Sequence, residues 1–275
     1  MGRTATLIVL GAVAACIYAA PRGIGLTTRK GNVTRIVSLL PSHTELAFDA
    51  GAGDLLVGVT RACDFPPQTG RIEKIGDVRV DYEAIVKLRP DLILSSKTLM
   101  SRANHELTRL GLPVQELDPM SWDDIATALK TIGSRCGRAD RGLEAAERLL
   151  RHVGEIEWRL AGVRRPSVAY LEASPQMVMA AGPGSPPDLV IRAAGGINAF
   201  GDLRRDWDWV EWEVVLLREV DVIVVPSEAR SALEMRTGVC GRILEVDARM
   251  YARPGPRLPA AAEELARFLH PGRFE

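Results

Sequence analysis

The sequence predicts an α/β protein of two lobes that are joined by one long helix, with a ligand cleft between the lobes. From residue 33 onward, strand-like and helix-like segments alternate, which is typical of a parallel sheet covered by helices on both faces. Apolar residues recur every three or four positions over residues 139–163 without a proline, which predicts one helix about 37 Å long. Similar residue spacings occur before and after that helix, which favours two related lobes.

The overall composition is that of a globular chain with an ample core. The 275 residues are 47% hydrophobic and 25% charged. Their 35 basic and 35 acidic residues balance, and no basic block interleaves with aromatics, which argues against nucleic acid as a partner. We predict five segments: a signal at residues 1–20, a tether at 21–32, an N-terminal lobe at 33–120, a helical linker at 121–165 and a C-terminal lobe at 166–275.

The N-terminal segment has the composition of an export signal. Arg3 precedes an apolar run over residues 5–20 that is too short to cross a bilayer comfortably. Residues 13–16, VAAC, resemble the lipobox of bacterial lipoproteins, in which the cysteine is lipidated, so Cys16 is the predicted lipidation site. Cleavage after residue 20 is disfavoured by Pro21, and an uncleaved anchor remains an alternative. Each interpretation places the folded part outside the cytoplasm.

The N-terminal lobe opens with a buried strand over residues 33–40, where apolar and β-branched side chains run together. Pro41 ends that strand, and Ser42-x-x-Glu45 predicts a capping box that starts a helix reaching residue 50. The same patterns predict further strands over residues 55–59, 91–95 and 114–117, and helices over residues 82–88 and 101–110.

The long helix has one apolar and one charged face, and Pro166 follows shortly after its end, where a helix normally stops. The predicted apolar face consists of Leu143, Ala146, Leu150, Val153, Ile156 and Leu160. Beyond the helix the alternation resumes, with predicted strands over residues 168–172, 178–181, 221–225 and 243–246, and helices over residues 187–194, 213–219 and 260–269.

Two spacings recur in both halves of the chain. Glu45-Leu46 precedes Gly53 and Gly58 at the same distances at which Asp188-Leu189 precedes Gly196 and Gly201. Likewise, Glu83 and Glu213 each stand eight residues before an aspartate that leads a predicted strand, Asp91 and Asp221. Chance produces some such matches, but two of them on opposite sides of a long helix favour duplicated lobes.

The cysteines and histidines form no recognisable metal site. Export leaves Cys63, Cys136 and Cys240, and none has a CxxC or Cys/His spacing. Cys136 and Cys240 could form a disulfide, or the thiols could be free and buried. Free thiols are favoured. The histidines are scattered along the chain at His43, His105, His152 and His270.

Motifs of the common enzyme classes do not occur in the sequence. It contains no Gly-x-Ser-x-Gly, P-loop or dinucleotide fingerprint. The carboxylate pairs Asp206/Asp208 and Glu211/Glu213 have the spacing of solvated loop residues. We therefore predict no catalytic residue, no metal site and no cofactor.

Four stretches together resemble one known family. They are residues 35–67 (RIVSLLPSHTELAFDAGAGDLLVGVTRACDFPP), 88–94 (LRPDLIL), 194–202 (AGGINAFGD) and 251–258 (YARPGPRL). In this order they are similar to the helical-backbone substrate-binding proteins of ABC importers, and most to the cobalamin-binding branch. The resemblance covers about residues 33–271. It implies two Rossmann-like α/β lobes, one long rigid helix between them and a ligand clasped in the cleft.

The resemblance also implies where a ligand would bind. Members of the family hold the corrin with aromatic side chains, and this chain has Ala62, Ser96 and Met179 at three positions where aromatics are common. Two roles are possible for Trp207: it lines the pocket, or it seals a loop onto the second lobe. For His43, capping a helix is favoured over serving as an axial ligand of a metal centre. The candidate ligand-binding residues are Pro41, Ser42, His43, Asp64, Met179, Trp207, Trp209 and Tyr251.

The resemblance finally implies partners. In that family a surface glutamate on each lobe docks into arginines of the permease, and Glu83 and Glu213 fall at the matching positions. We expect a monomeric, exported, lipid-anchored protein that captures a corrinoid such as cobalamin and delivers it to a permease and its ATPase. Haem or a ferric siderophore is the alternative ligand, and an enzyme built on the same scaffold is the alternative of a different class.

Overall fold

The computed structural model describes residues 33–77, 79–173, 177–234 and 241–275. The predicted signal and tether, including Cys16, lie outside the described residues, as does Cys240. Within the described ranges, no helix combines the length and the apolar character that crossing a membrane would require.

The N-terminal lobe is a parallel sheet with helices on both faces. Its five strands are ordered β3-β2-β1-β4-β5. The strands are β1 (Ile36–Ser38), β2 (Leu56–Val59), β3 (Glu73–Lys74), β4 (Leu92–Ser95) and β5 (Val114–Glu116), and the helices are α1 (Pro41–Asp49), α2 (Tyr82–Leu88) and α3 (Ser101–Arg109). The predicted alternation is therefore confirmed for this lobe, with β1 shorter than the predicted strand because only its middle forms ladder bonds.

The start of α1 differs from the prediction. Leu40 occupies the N-cap position in an extended conformation, Pro41 is the first helical residue, and no side chain caps the helix. A proline at the first helical position leaves one fewer N–H unpaired, because it has none of its own, and its fixed φ suits a helix start. The predicted capping box of Ser42 and Glu45 is wrong, and the Glu45 carboxylate bonds elsewhere.

Two helices lie in the region predicted as the helical linker. Here α4 (Trp122–Arg135) and α5 (Ala139–Arg159) pack side by side after a three-residue turn. Their backbones approach closely at two glycines: a Cβ on Gly142 would lie 2.6 Å from the carbonyl oxygen of Leu129, and one on Gly133 would lie 2.8 Å from the Cα of Gly142. Any larger residue at either position would force the helices apart.

The predicted long helix is confirmed as α5, which is 21 residues or about 31 Å long and ends before residue 163. Its buried face is rotated from the predicted one. Leu143 is 46% exposed, whereas the small residue Ala145 and Leu149 are buried. The rotation follows from α4, since the glycine contact turns Gly142 and its neighbours inward and Leu143 outward.

The C-terminal lobe has a parallel core with an antiparallel extension. Its strands are ordered β11-β10-β6-β7-β9, and β8 also pairs with β6. The strands are β6 (Ser167–Ala173), β7 (Val178–Ala181), β8 (Ile197–Asn198), β9 (Trp207–Val210), β10 (Val222–Pro226) and β11 (Arg242–Val246), and the helices are α6 (Pro186–Ala193), α7 (Trp212–Leu217), α8 (Arg230–Glu234), α9 (Ala248–Tyr251) and α10 (Leu258–Leu269).

The two lobes share a topology. Strand β1 lies between β2 and β4, and β6 lies in the same way beside β8 and β10, all in parallel pairs. The strand-leading aspartates also correspond: the Asp91 carboxylate accepts from the backbone N–H of Thr34 at 3.1 Å, and that of Asp221 accepts from Ser167 at 2.9 Å. Among the described residues of the N-terminal lobe, no strand pair corresponds to β7 and β9.

One apolar core runs through both lobes. It contains residues from β1, α1 and α4 on one side and from α6 and α10 on the other, with α5 between them. Separate, smaller cores fill the outer face of each sheet. The lobes are therefore joined by continuous packing, and separating them would expose buried apolar surface to water.

Candidate ligand-binding site

Segments that follow the strands of the two lobes come into contact with one another, and we call the region between the strand ends of the two lobes the cleft. The segment that follows β11 reaches over to the N-terminal lobe and contacts the chain that follows β1 and β2. There the Ala62 carbonyl accepts from Arg253 Nη2 at 3.4 Å. Gly255 lies against the start of α1, since a Cβ on it would be 3.8 Å from the Ser42 carbonyl oxygen. Ligands of open α/β sheets bind at these strand ends, so this is the candidate site.

Five charged residues connect the two lobes; we name them the arginine latch. Arg257 binds the Glu45 carboxylate with two hydrogen bonds, Nε to Oε2 at 2.8 Å and Nη2 to Oε1 at 2.7 Å. Arg253 Nη1 donates to Glu45 Oε1 at 3.1 Å and to Asp64 Oδ1 at 2.7 Å. Arg249 completes the latch at 3.2 Å from Asp64. Every pair joins one lobe to the other.

The latch is well shielded from water at its centre. Only 1% of the Glu45 side chain is exposed, so its charge depends on the two arginines. Partial burial by itself would raise the pKa of the Asp64 carboxyl, but the hydrogen bond and charge of Arg253, with Arg249, hold that pKa below its ordinary value. The Arg257 guanidinium also lies 4.1 Å above the ring centre of Phe65.

The antiparallel pair β7 and β9 carries three of the candidate residues and is the candidate C-terminal wall of the cleft. Trp209 pairs directly with Met179, and Trp207 pairs with Ala181. Side chains of directly opposed residues lie on the same face, so Trp209 and Met179 form an adjacent pair. Trp209 is 57% exposed, and Met179 is half-buried. These two candidate residues are therefore brought together at an open surface.

Trp207 and Tyr251 lie deeper in the same lobe. Tyr170 stacks on Tyr251 with ring centres 6.0 Å apart and meets the edge of Trp207 at 5.8 Å. Tyr251 is buried, and its hydroxyl donates to Glu264 at 3.1 Å. The half-buried Trp207 thus covers an aromatic cluster, and Tyr251 belongs to the interior of the lobe rather than to its surface.

The candidate residues at the start of α1 present little side-chain surface. Pro41 is half-buried and Ser42 is buried at the start of α1. His43 has 1% of its surface exposed, and burial lowers its pKa to about 4. Backbone hydrogen bonds with Leu117 and Leu94 and the charge of Asp118 oppose this lowering only in part. The structure therefore places a neutral imidazole in the interior of the lobe. Ser96 is also buried and donates to Asp118.

The thiols and carboxylates of the described ranges form no metal centre. Among these residues, no group of three His, Cys, Asp or Glu side chains is placed to hold an ion. Cys63 is a buried free thiol that contacts the hydroxyls of Thr44 and Thr60 at 3.2 and 3.1 Å. Cys136 is also free, and burial raises its pKa to about 11, which keeps it protonated.

The two glutamates of the predicted docking pair occupy matching places. Each is the second residue of a short helix, Glu83 in α2 and Glu213 in α7, and each is exposed. Their surroundings differ. Lys87 pairs with Glu83 at 2.7 Å, whereas the apolar Leu217 occupies the position in α7 that corresponds to Lys87 and is almost fully exposed.

Comparison with known proteins identifies the family. Residues 36–242 match the family described as Periplasmic binding protein. The chain belongs to this family. It is 31% identical to the Vitamin B12-binding protein of Salmonella paratyphi A over 86% of this chain and 90% of that protein. It is 28% identical to an uncharacterized ABC transporter substrate-binding lipoprotein, YvrC of Bacillus subtilis, over 90% of this chain and 83% of that protein.

Solved structures confirm the predicted fold. The periplasmic vitamin B12 binding protein BtuF of Vibrio cholerae is similar with a TM-score of 0.80 and 24% identity, over 88% of this chain and 99% of that one. The periplasmic heme-binding protein RhuT from Roseiflexus sp. RS-1 is similar with a TM-score of 0.75 and 25% identity, over 88% of this chain and 100% of that one. As a member of this family, the chain is an extracytoplasmic binding protein that serves transport, not an enzyme.

Proposed function

We propose that this protein captures a corrinoid such as cobalamin outside the cytoplasm and delivers it to an ABC importer, that is, to a permease and its ATPase. The observation that carries the proposal is the similarity to the Vitamin B12-binding protein of Salmonella paratyphi A, which extends over nearly the whole of both chains. The cleft is compatible with a large, flat ligand, because Trp209 and Met179 present adjoining apolar area at its C-terminal wall.

The direct test is calorimetry of the purified protein with cobalamin, haem and a ferric siderophore. We expect one cobalamin to bind per chain, and the protein to elute as a monomer before and after loading. Haem is the second candidate, since RhuT, a heme-binding protein, is similar over nearly the whole of this chain. Binding of haem without cobalamin would replace the corrinoid proposal, and binding of none of the three would remove it.

Trp209 and Trp207 should respond differently to truncation. Trp209→Ala should weaken cobalamin binding by about 1–3 kcal/mol while leaving unfolding unchanged, because the side chain is exposed and offers contact area to a ligand. Trp207→Ala should lower the free energy of unfolding by about 3 kcal/mol, since it uncovers the aromatic cluster around Tyr170.

A matched control for the tryptophan series is Trp158→Ala, which removes an exposed tryptophan from α5. Calorimetry and chemical denaturation would be applied to all three variants. Cobalamin affinity that is equal in the Trp209 and Trp158 variants would exclude Trp209 from the ligand contact.

We further propose that Cys16 carries a lipid anchor. The sequence VAAC supports it, and so does the name of the Bacillus subtilis relative, which describes a lipoprotein. Cys16→Ser should leave the precursor unprocessed or release mature protein into soluble fractions, because stable attachment requires the acyl chains. Fractionation with mass spectrometry of the N-terminus provides the measurement. Unchanged processing and membrane attachment in the variant would contradict the anchor.

Delivery requires recognition by the permease, and we assign this role to Glu83 and Glu213. The support is their exposure and their equivalent positions in two lobes of one topology. One carboxylate on each lobe would fix the orientation of the protein on its partner, and arginine–carboxylate pairs are well suited to such contacts.

A further inference from the structure

Helix α7 has an exposed apolar surface, which we name the α7 patch. It consists of Val214, Leu216 and Leu217, which are 36%, 41% and 84% exposed. The value for Leu217 is the highest of any large hydrophobic residue in the part of the chain that the structure describes. Trp212 and Val215 pack into the outer core of the C-terminal lobe, so the patch lies on the outward side of the helix. Apolar surface that stays exposed beside charged residues is typical of a protein-binding site.

The proposed docking glutamate lies within the patch. Glu213 is three residues before Leu216 and four before Leu217, and side chains at these spacings are neighbours on one side of a helix. Glu213 is exposed, and no described residue forms an ion pair with it. Its carboxylate and the Leu217 side chain therefore offer one partner both a charge and an apolar contact.

The charges of this segment restrict what can occupy the patch. Glu211 and Glu219 flank α7 and are exposed as well. Arg218, the only basic residue of the segment, donates to the Asp202 carboxylate at 2.8 and 2.9 Å. A symmetric contact with a second copy of this chain would bring the two Glu213 carboxylates together, and an anionic lipid surface would meet all three glutamates. The patch therefore fits a protein surface that is basic and apolar at the same place.

Helix α2 of the N-terminal lobe is the natural comparison. In both helices the second residue is an exposed glutamate, the fourth is buried, and the fifth is exposed and apolar. That fifth residue is Val86 in α2 and Leu216 in α7, which are 45% and 41% exposed. The sixth residue differs: Lys87 pairs with Glu83 at 2.7 Å, whereas Leu217 supplies no charge to Glu213. The two lobes thus share one arrangement and differ in one side chain.

We propose that the α7 patch is an apolar contact for the permease, and that Leu217 packs beside the basic group that receives Glu213. The proposal rests on the proposed function and on the docking role of Glu213, and it adds a second kind of contact to them. The carboxylate gives direction to the encounter, whereas burying Leu217 removes apolar area from water and so adds affinity. The C-terminal lobe is thereby the stronger of the two contacts.

The test measures binding to the permease directly. The mature protein would be passed over its cognate permease and ATPase, solubilised in detergent and immobilised, without added ligand. Leu217→Ser should weaken this binding at least about tenfold, because Leu217 is the most exposed apolar side chain of the patch. The matched control is Leu143→Ser, which removes an exposed leucine from α5 and should bind as the wild type does. The free energy of unfolding and ligand affinity should stay unchanged in both variants.

Exchanging the sixth residue between the two helices gives opposite expectations. Leu217→Lys should weaken permease binding more than Leu217→Ser does, because a lysine there can pair with Glu213 as Lys87 pairs with Glu83. Lys87→Leu should strengthen permease binding several-fold, because it frees Glu83 and adds apolar area to α2. Weaker binding of Lys87→Leu would contradict the proposed contact.

The remaining outcomes separate the patch from the function on which it rests. Equal binding of the wild type, Leu217→Ser and Leu143→Ser to the permease would overturn the patch and leave delivery intact. A wild type that does not bind the permease would remove delivery, and the patch with it. A dimer in sedimentation velocity that Leu217→Ser disperses would assign the patch to a second copy instead. Flotation of the Cys16→Ser protein with phosphatidylglycerol vesicles, if Leu217→Ser abolished it, would assign the patch to lipid.

Discussion

Arg257→Ala is expected to lower the free energy of unfolding by about 3 kcal/mol, the lower part of the range for breaking a buried ion pair. The reason lies in its partner: Glu45 is 1% exposed, and Arg257 supplies two of its three hydrogen bonds. Removing the guanidinium leaves a buried carboxylate with only Arg253. Chemical denaturation at neutral pH measures the loss, and the same substitution should also loosen the contact between the lobes.

The matched control is Arg151→Ala, which removes an exposed arginine from the charged face of α5. The single variant Glu45→Gln and the double variant Arg257→Ala with Glu45→Gln complete a cycle that isolates the pairwise contribution, and the double variant should recover part of the stability because the buried carboxylate is gone. A loss in Arg257→Ala no greater than in Arg151→Ala would show that the latch contributes nothing to folding.

The second large effect is expected in transport. The double variant Glu83→Ala with Glu213→Ala should fold normally and bind ligand with wild-type affinity, because both side chains are exposed and neither belongs to the candidate ligand-binding residues. Uptake through the cognate permease should nevertheless fall by more than about tenfold, as is usual when charged anchors of an interface are truncated. Whole-cell uptake of labelled cobalamin and affinity in solution would be measured on the same variants.

The control pair Glu147→Ala with Glu155→Ala removes the same charge from α5. Wild-type uptake in the docking variant, or a loss of ligand affinity that accounts for the loss of uptake, would contradict the docking role. The single variants carry further information. Glu83 already pairs with Lys87, whereas an exposed leucine occupies the corresponding place near Glu213, so we expect Glu213→Ala to cost more uptake.

Local patterns in the sequence were sufficient for most of the architecture. Helix α2 coincides with its predicted range, and the alternation of strands and helices appears in both lobes in the predicted order. These elements are predictable because the hydrophobic periodicity of an element, and the glycines and prolines that end it, depend on neighbouring residues only. The residue spacings around Asp91 and Asp221 also mark places where the two lobes have the same backbone contacts.

Predictions failed where distant residues decide the outcome. Ser42-x-x-Glu45 has the sequence of a capping box, but Arg257, more than two hundred residues away, binds the Glu45 carboxylate. Leu143 fits the apolar period of α5, yet the glycine contact with α4 turns it outward. A prediction from one segment cannot take into account a residue that is distant in the sequence but in contact in the fold.

The candidate site was harder to predict for the same reason. The spacing of Asp206 and Asp208 predicts a loop, but the structure forms β9 there, and the alternation of acidic and aromatic residues is that of a strand with two faces. Its pairing with β7 is what places Trp209 beside Met179. The resemblance named His43 and Tyr251 from their motif positions, and only packing reveals that both side chains are buried.

The continuous core between the lobes bears on the energetics of loading and unloading. A site assembled in advance loses little binding energy to ordering, so the arriving solute meets a receptor that is already organised. Capture can then proceed at a rate close to that of diffusional encounter. The same rigidity works against discharge, because spreading the walls would wet apolar surface around α5 and strain the latch. We therefore expect a slow spontaneous off-rate that the docked permease accelerates.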